Sequence, residues 1–469
     1  MVKRVCLLAV SALLLAAAWP GLALAGHVDL PADLREETEL PPGFQDAGGE
    51  NDVHSDNMAL LANDDDGGTY REGTDLAFWG STAVAGAYNT LRLYDISKPY
   101  DLREVGQLEC PGSQNDVSVW NKLVFMSVDG PRTGPECGAP AGTVESVGGA
   151  AWEGIRIISI ADRTRPRQIA AVKTDCGSHT HTLVPDTARN RVLIYALSYP
   201  TTPGTDCSVA THRKISVVEV PLDAPTRARV ISTPDVSPAI GCHDVSVFLA
   251  RKLAAAACLT ESQMWDISDP ANPRVISHIY NPAVNIHHST AWSWDGRTVV
   301  LGDELGGAAA APGCMDPHEP LGMLWFYDVS DPRAPAVRGN YHLPESEQQQ
   351  QDSLFCTAHN FNPIPLKDGR DVLVSAWYNG GTTVLDFSDP SSPTQLGYYI
   401  AKDPVKAANW SSYWYNGFIY ANSFDASYVP SIPQSRGVDV MAIGHPALRK
   451  ANQLKFGYLN PQTQEAPKK

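Results

Sequence analysis

The phrase MWDISDPANPRVIS, Met264–Ser277, decides the fold because the chain repeats it. It returns as LYDISKPYDLREVG (Leu93–Gly106), FYDVSDPRAPAVRG (Phe326–Gly339) and VLDFSDPSSPTQLG (Val384–Gly397). Weaker copies are IISIADRTRPRQIA (Ile157–Ala170), VVEVPLDAPTRARV (Val217–Val230) and GVDVMAIGHPALRK (Gly437–Lys450). Aligned on the acidic position they give Asp95, Ser159, Glu219, Asp266, Asp328, Asp386 and Asp439, spaced 47–64 residues apart. Each copy reads as a strand, a turn stiffened by proline, and another strand. Two further strand-like runs precede each phrase, as HDVSVFLA and KLAAAACL precede Met264. Four strands per repeat and seven repeats describe an all-β, seven-bladed β-propeller. The wide spread of repeat lengths suits a closed ring with loop insertions better than an open solenoid.

Composition agrees. The 469 residues are 43% hydrophobic and 19% charged, too apolar for a disordered chain. Frequent Pro (36) and Gly (37), without long amphipathic helical patterns, favour many short strands. Asp and Glu (52) outnumber Lys and Arg (36), giving a formal charge of −16 and no basic stripe for nucleic acid.

The ends are expected to lie outside the ring. Residues 1–25 read as a signal peptide: Lys3 and Arg4, the apolar run from Leu7 to Ala18, then Ala23-Leu24-Ala25 as a small-x-small cleavage site. No second hydrophobic segment follows, so the expectation is a secreted or periplasmic protein without a membrane anchor. Residues 26–66 read as an acidic leader whose later part could close the last blade, 67–455 as the propeller, and 456–469 as a polar tail. In an oxidising compartment the eight cysteines after Cys6 read as disulfides. Of the 105 possible pairings, the economical one is Cys110–Cys137, Cys176–Cys207, Cys314–Cys356 and Cys242–Cys258. Cys242, next to His243, has a second reading as a metal thiolate. The long excursions Gly130–Gly149, Tyr199–His212 and Gly306–Leu321 all follow the second strand of a blade, and the disulfides would pin them at one end of the channel.

That end carries the chemistry. The innermost strands start TDLAF (Thr74), NDVSV (Asn115), HTLVP (His181), HDVSV (His243), HSTAW (His288), HNFNP (His359) and NWSSY (Asn409). One register thus places four imidazoles, His181, His243, His288 and His359, at one mouth of the channel. An imidazole set without thiolates suits a transition metal and disfavours Mg or Ca. His179, two residues before His181, lies on the same strand face and could substitute for it. His287 should point away. Glu261 and Glu304, at the ends of neighbouring strands, are candidates to orient a ligand or to transfer a proton. Trp292, Trp377, Trp410 and Trp414 read as packing between blades.

The repeat phrases resemble those of the LVIVD-repeat propellers, a family of exported bacterial proteins, over roughly residues 70–445. HTHTLVPD (His179–Asp186), HDVSVF (His243–Phe248) and LVSAWYNGGTTVLDFSDP (Leu373–Pro390) are also distantly similar to the selenium-binding protein and methanethiol oxidase family. That resemblance implies a propeller and, for some members, copper-dependent thiol oxidation; this sequence has no CxxC. The residues support an exported oxidoreductase with one metal ion, copper first, iron second and zinc third, acting on a small molecule. The alternative is a non-catalytic propeller that binds a small molecule or a protein at its channel mouth.

Overall fold

The computed structural model describes residues 32–64, 72–142, 151–200, 209–305, 322–344, 356–402, 408–424 and 436–465. Residues 1–25, read above as a signal peptide, and Cys207, Cys314 and Gln348–Gln351 lie outside the described residues.

Seven antiparallel sheets form a ring. Their innermost strands are Gly73–Trp79, Val117–Trp120, Thr180–Asp186, Asp244–Phe248, His287–Trp292, Phe361–Ile364 and Ala408–Tyr415, in blades 1 to 7. Each innermost strand contacts the next, and that of blade 7 contacts that of blade 1, so the ring closes. The repeated phrase is the third strand, its turn and the outer strand. Asp95, Asp266, Asp328 and Asp386 each accept, through the side chain, the backbone N–H two residues on, at 2.8–2.9 Å. This Asx turn is why D-x-S recurs in the strong copies. The blade 7 copy sits elsewhere: Asp439 lies near the start of its strand, Val438–Ile443, where it is buried with Arg436. A buried ion pair there replaces the turn acid, which makes that alignment several residues out of register.

Closure uses the N-terminal region. Met58–Asp64 supplies the outer strand of blade 7, pairing antiparallel with Val438–Ile443. Val53–His54 adds to the outer edge of blade 6. Hydrophobic clusters fill the spaces between blades; one joins Phe78 and Tyr94 of blade 1 to Tyr413, Tyr420 and Val440 of blade 7. Trp292, Trp377 and Trp414 belong to such clusters, as expected.

The C-terminal segment, read as a tail beyond the ring, runs through the end of the channel opposite the histidines. Tyr458–Leu459 pairs with the end of the blade 1 strand, and Thr463–Gln464 pairs in parallel with the end of the blade 4 strand. The Asn460 amide both donates to and accepts from the Val119 backbone, and the Gln464 amide does the same with Trp292. Thr463 donates to the Leu183 carbonyl and Gln462 to Asp75. Polarity is what suits this segment for the place: innermost strands leave backbone groups facing the channel, and amides satisfy a donor and an acceptor at once.

Two disulfides link Cys110 to Cys137 and Cys242 to Cys258, both as expected. The second removes the thiolate reading of Cys242. Cys176 and Cys356 are disulfide-bonded too. Among the described residues, no helix is long and apolar enough to cross a membrane.

Gln464→Ala removes both side-chain bonds to the buried Trp292 backbone. It should lower stability by about 1–3 kcal/mol in urea denaturation. An unchanged midpoint would show that the segment does not hold the ring.

Candidate metal centre

Three histidines occupy the same backbone station. Just before the innermost strands of blades 3, 4 and 6, the N–H of His179 donates to the Leu197 carbonyl (2.7 Å), that of His243 to Ala257 (2.8 Å) and that of His359 to Ala376 (3.0 Å). Each bond closes the innermost strand onto the second strand of its own blade, so the three side chains leave at one level. His288 reaches that level through a bulge: the pairing slips between His287 and Ser289, which partner Asp303 and Gly302. A bulge re-aims one side chain without breaking the sheet. The result is an arc, with Nε2 of His179 and His243 3.1 Å apart and ring centres 3.7 Å apart for His243–His288 and 4.4 Å for His288–His359. All four are buried, at 4% exposure or less.

Glu304, one residue beyond the second strand of blade 5, closes the arc. Its Oε2 lies 3.4 Å from His288 Nε2 and its Oε1 3.8 Å from His359 Nε2, while the Tyr378 hydroxyl donates to Oε1 at 2.6 Å. At the other end His179 Nδ1 donates to Asp129 Oδ2 at 2.5 Å, and the Tyr199 hydroxyl donates to His179 Nε2 at 3.1 Å. His359 Nδ1 donates to the Trp410 carbonyl. Those bonds set the tautomers: with Nδ1 occupied, Nε2 of His179 and His359 faces the centre of the arc.

Burial dominates the electrostatics. It holds His243 and His288 well below the ordinary imidazole range and His359 at about 3, and neighbouring imidazoles add to this. These three are therefore neutral at neutral pH, the state that ligates metals. For His179 burial acts the same way, but the Asp129 carboxylate outweighs it and the net shift is upward. Burial lifts Glu304 to about 7 and Asp244 to about 8.

The donor set fits a transition-metal ion. One ligand atom each from His288, Glu304 and His359 lie within 4.8 Å of one another, as do those of His243, Asp244 and His288. Metal–nitrogen bonds of about 2.0–2.1 Å in a tetrahedron put donor atoms roughly 3.3 Å apart. The observed 3.1, 3.4 and 3.8 Å bracket that spacing. Among the described residues, no hydrogen-bond partner reaches His359 Nε2, His243 Nδ1 or His288 Nδ1, although all three atoms are buried. Buried polar atoms are normally paired.

Of the residues expected at this site, the structure brings together His179, His243, His288, His359 and Glu304. His181 is not among them. It lies in the seam between blades 2 and 3, with Nε2 2.6 Å from Ser118 Oγ and Nδ1 2.8 Å from Ser127 Oγ. Asp116 accepts its backbone N–H at 2.7 Å. The correction is a register slip of two: His179, not His181, is equivalent to His243. Two residues preserve the face but move a side chain roughly 6.6 Å along the strand, so face alternation could not distinguish them. Ser118, His181 and Asp116 do form a Ser–His–Asp contact, but all three are buried in the packed seam.

Glu261 is also corrected. Its carboxylate turns to the outer part of blade 4, accepting from Gln263 at 2.7 Å and meeting His278 at 3.0 Å. His287 points away as expected, bonding Ser262. Asn115 caps the Ala87 and Cys110 carbonyls, and Asn409 donates to Thr382. Trp410 departs from the packing expectation, since its ring lies edge-on to His359 at 4.6 Å. Asp129, Tyr199 and Tyr378 were missed. Tyr199 and Tyr378 lie two residues beyond the second strands of their blades, and Asp129 lies just past Val128, where the regular pairing of its second strand breaks, so the alignment applied to innermost strands would have found them there.

The fold and site define a seven-bladed propeller with a histidine-rich channel mouth. The LVIVD repeat model matches residues 375–400, the heart of blade 6. Among solved structures the chain is similar to Kuenenia stuttgartiensis hydrazine synthase, with a TM-score of 0.51, 10% identity, and coverage of 78% of this chain and 93% of that one. It also matches a functionally unknown protein from Desulfotomaculum acetoxidans, with a TM-score of 0.44, 11% identity, and coverage of 80% and 90%. At 10% identity the likeness to hydrazine synthase shows the fold alone. The expected likeness to selenium-binding proteins is not among these matches. Comparison with curated proteins finds no match.

His179→Ala should cut metal content after loading, and His181→Ala should leave it unchanged while lowering thermal stability. Elemental analysis of both variants checks this, and equal loss would return His181 to the ligand set.

Proposed function

We propose that the protein is exported and holds one transition-metal ion at the channel mouth, using it for oxidoreductase chemistry on a small substrate. The carrying observation is the row of buried imidazoles closed by the Glu304 carboxylate: His288, Glu304 and His359 bring one ligand atom each within 4.8 Å of one another, and His359 Nε2, His243 Nδ1 and His288 Nδ1 have no partner among the described residues. His179, His243, His288 and His359 would hold the ion, with Glu304 on the side of His288 and His359. Copper comes first, because it tops the divalent affinity series and the donor set is mainly imidazole. Iron is second: two histidines and one carboxylate, as in His288, His359 and Glu304, form the set used by non-haem iron oxygenases. Zinc is third. The disulfides support export, since such bonds persist in oxidising compartments.

A bound copper or iron ion would supply one-electron redox chemistry. The chain's own residues prepare the place. Asp129 and the Trp410 carbonyl orient His179 and His359, and Tyr378 holds Glu304 against His288 and His359. The half-buried Tyr88 and Tyr199 mark the approach for a small molecule.

A second reading, a binding propeller whose metal is structural, is favoured by one observation: four imidazoles and a carboxylate are enough donors to fill an ion's coordination sphere. Elemental analysis of protein from its native export route, followed by Cu, Fe and Zn loading, separates the outcomes. One ion per chain with a raised Tm supports the site by linkage, and azide-induced change in the metal spectrum supports catalysis. A chain that stays metal-free under all three loadings removes the proposal, and bound metal silent to azide leaves the structural reading. His288→Ala and His359→Ala should each lower affinity by at least tenfold.

A further inference from the structure

Beside the histidine arc lies a small aromatic cluster separate from the cores between blades. It comprises Tyr378, Ala408 and Trp410, with Tyr88 packed against it. The rings form a series: His359 to Trp410 at 4.6 Å, edge-on, and Trp410 to Tyr88 at 6.3 Å, again edge-on. Tyr378 lies against both His359 (4.5 Å) and Trp410 (6.1 Å). The series starts at a fully buried imidazole and ends at a half-buried phenol, beside the exposed Asn89 in the hairpin turn of blade 1. That turn is at the histidine end of the channel, because the strand leading into it runs antiparallel to the innermost one. Tyr378 holds a left-handed backbone (φ +48°), a region a bulky aromatic side chain rarely occupies. Its backbone is pinned there by reciprocal N–H to carbonyl bonds with Asn409. Such strain persists only where the surroundings enforce it, and it gathers at functional sites.

Tryptophan and tyrosine are the side chains that one-electron oxidation reaches most readily. Here one of each bridges the buried arc and the mouth, where packing alone would accept Leu or Phe. We propose that Trp410 and Tyr88 form an electron relay between a metal held at His359 and a one-electron donor, a phenol-class small molecule, docked at the mouth. The inference rests on the metal reading above. Trp410 gives one electron to the oxidised metal through His359. Tyr88 then refills Trp410 with one electron and releases its phenolic proton to water at the mouth. The external phenol gives one electron to Tyr88 and its own proton to water, and water returns a proton to Tyr88. The net change is one electron from donor to metal and one proton from donor to water, with Tyr88 restored. A donor too large to reach the imidazoles could thus be oxidised without entering.

The test uses the full chain loaded with Cu(II), in wild-type form and as Trp410→Phe and Tyr88→Phe. Both variants keep ring packing, and the first keeps the backbone carbonyl that orients His359. Metal content is measured first, then the rate of Cu(II) reduction by hexaammineruthenium(II), a donor that cannot ligate in the arc. Full copper content with reduction slowed at least tenfold in both variants is the expected result. Full copper content with wild-type rates in both overturns the relay and leaves the metal reading intact. A wild-type chain that binds no copper refutes the metal reading itself, and the relay with it. If Trp410→Phe fails to fold, Tyr88→Phe still decides, because Tyr88 lies in a half-exposed turn.

Discussion

Closure of the ring is the constraint on which everything else depends. Seven sheets converge on one axis only if the last blade receives a strand from the far end of the chain, and Met58–Asp64 provides it against Val438–Ile443. Once closed, each innermost strand is fixed between two neighbours, and residues at equivalent stations in different blades face one another across a few ångströms. His179, His243 and His359 lie far apart in sequence and share only a backbone hydrogen bond to their second strands. The ring turns that shared station into proximity.

Proximity of this kind is costly. Four imidazoles and a carboxylate are withdrawn from water, and imidazoles with centres 3.7 Å apart cannot both carry charge. The structure meets this by keeping the central rings neutral and by satisfying the outward nitrogens of the outer two with Asp129 and the Trp410 carbonyl. His359 Nε2, His243 Nδ1 and His288 Nδ1 are left without a partner among the described residues.

Much of this was legible in the residues themselves. The D-x-S turns announced the blades because the turn chemistry is local: an aspartate side chain accepting the amide two residues on requires nothing from the rest of the fold. His243, His288 and His359 could be aligned for the same reason, each standing next to its own strand start. His181 misled because alternation along a strand has a period of two, and a slip of two residues leaves every side chain on its proper face. Glu261 and Glu304 looked alike in sequence; only the turn of the chain after the second strand sends one outward to His278 and the other inward. The position of residues 456–465 was not legible at all. Asn460 and Gln464 are ordinary polar residues until a channel with unpaired backbone groups exists to receive them.

That last segment has a consequence for the order of assembly. It bonds to blades 1, 2, 3, 4 and 5 at once, through partners separated by more than two hundred residues. None of these partners is in place before the blades have met, so the segment docks late, as a bolt slid through an already closed hinge. In reverse, a seam between blades cannot part until the bolt is drawn. Interactions that form after the folding transition state slow unfolding while leaving the folding rate nearly untouched. The plug therefore acts on the lifetime of the ring rather than on the speed with which it forms.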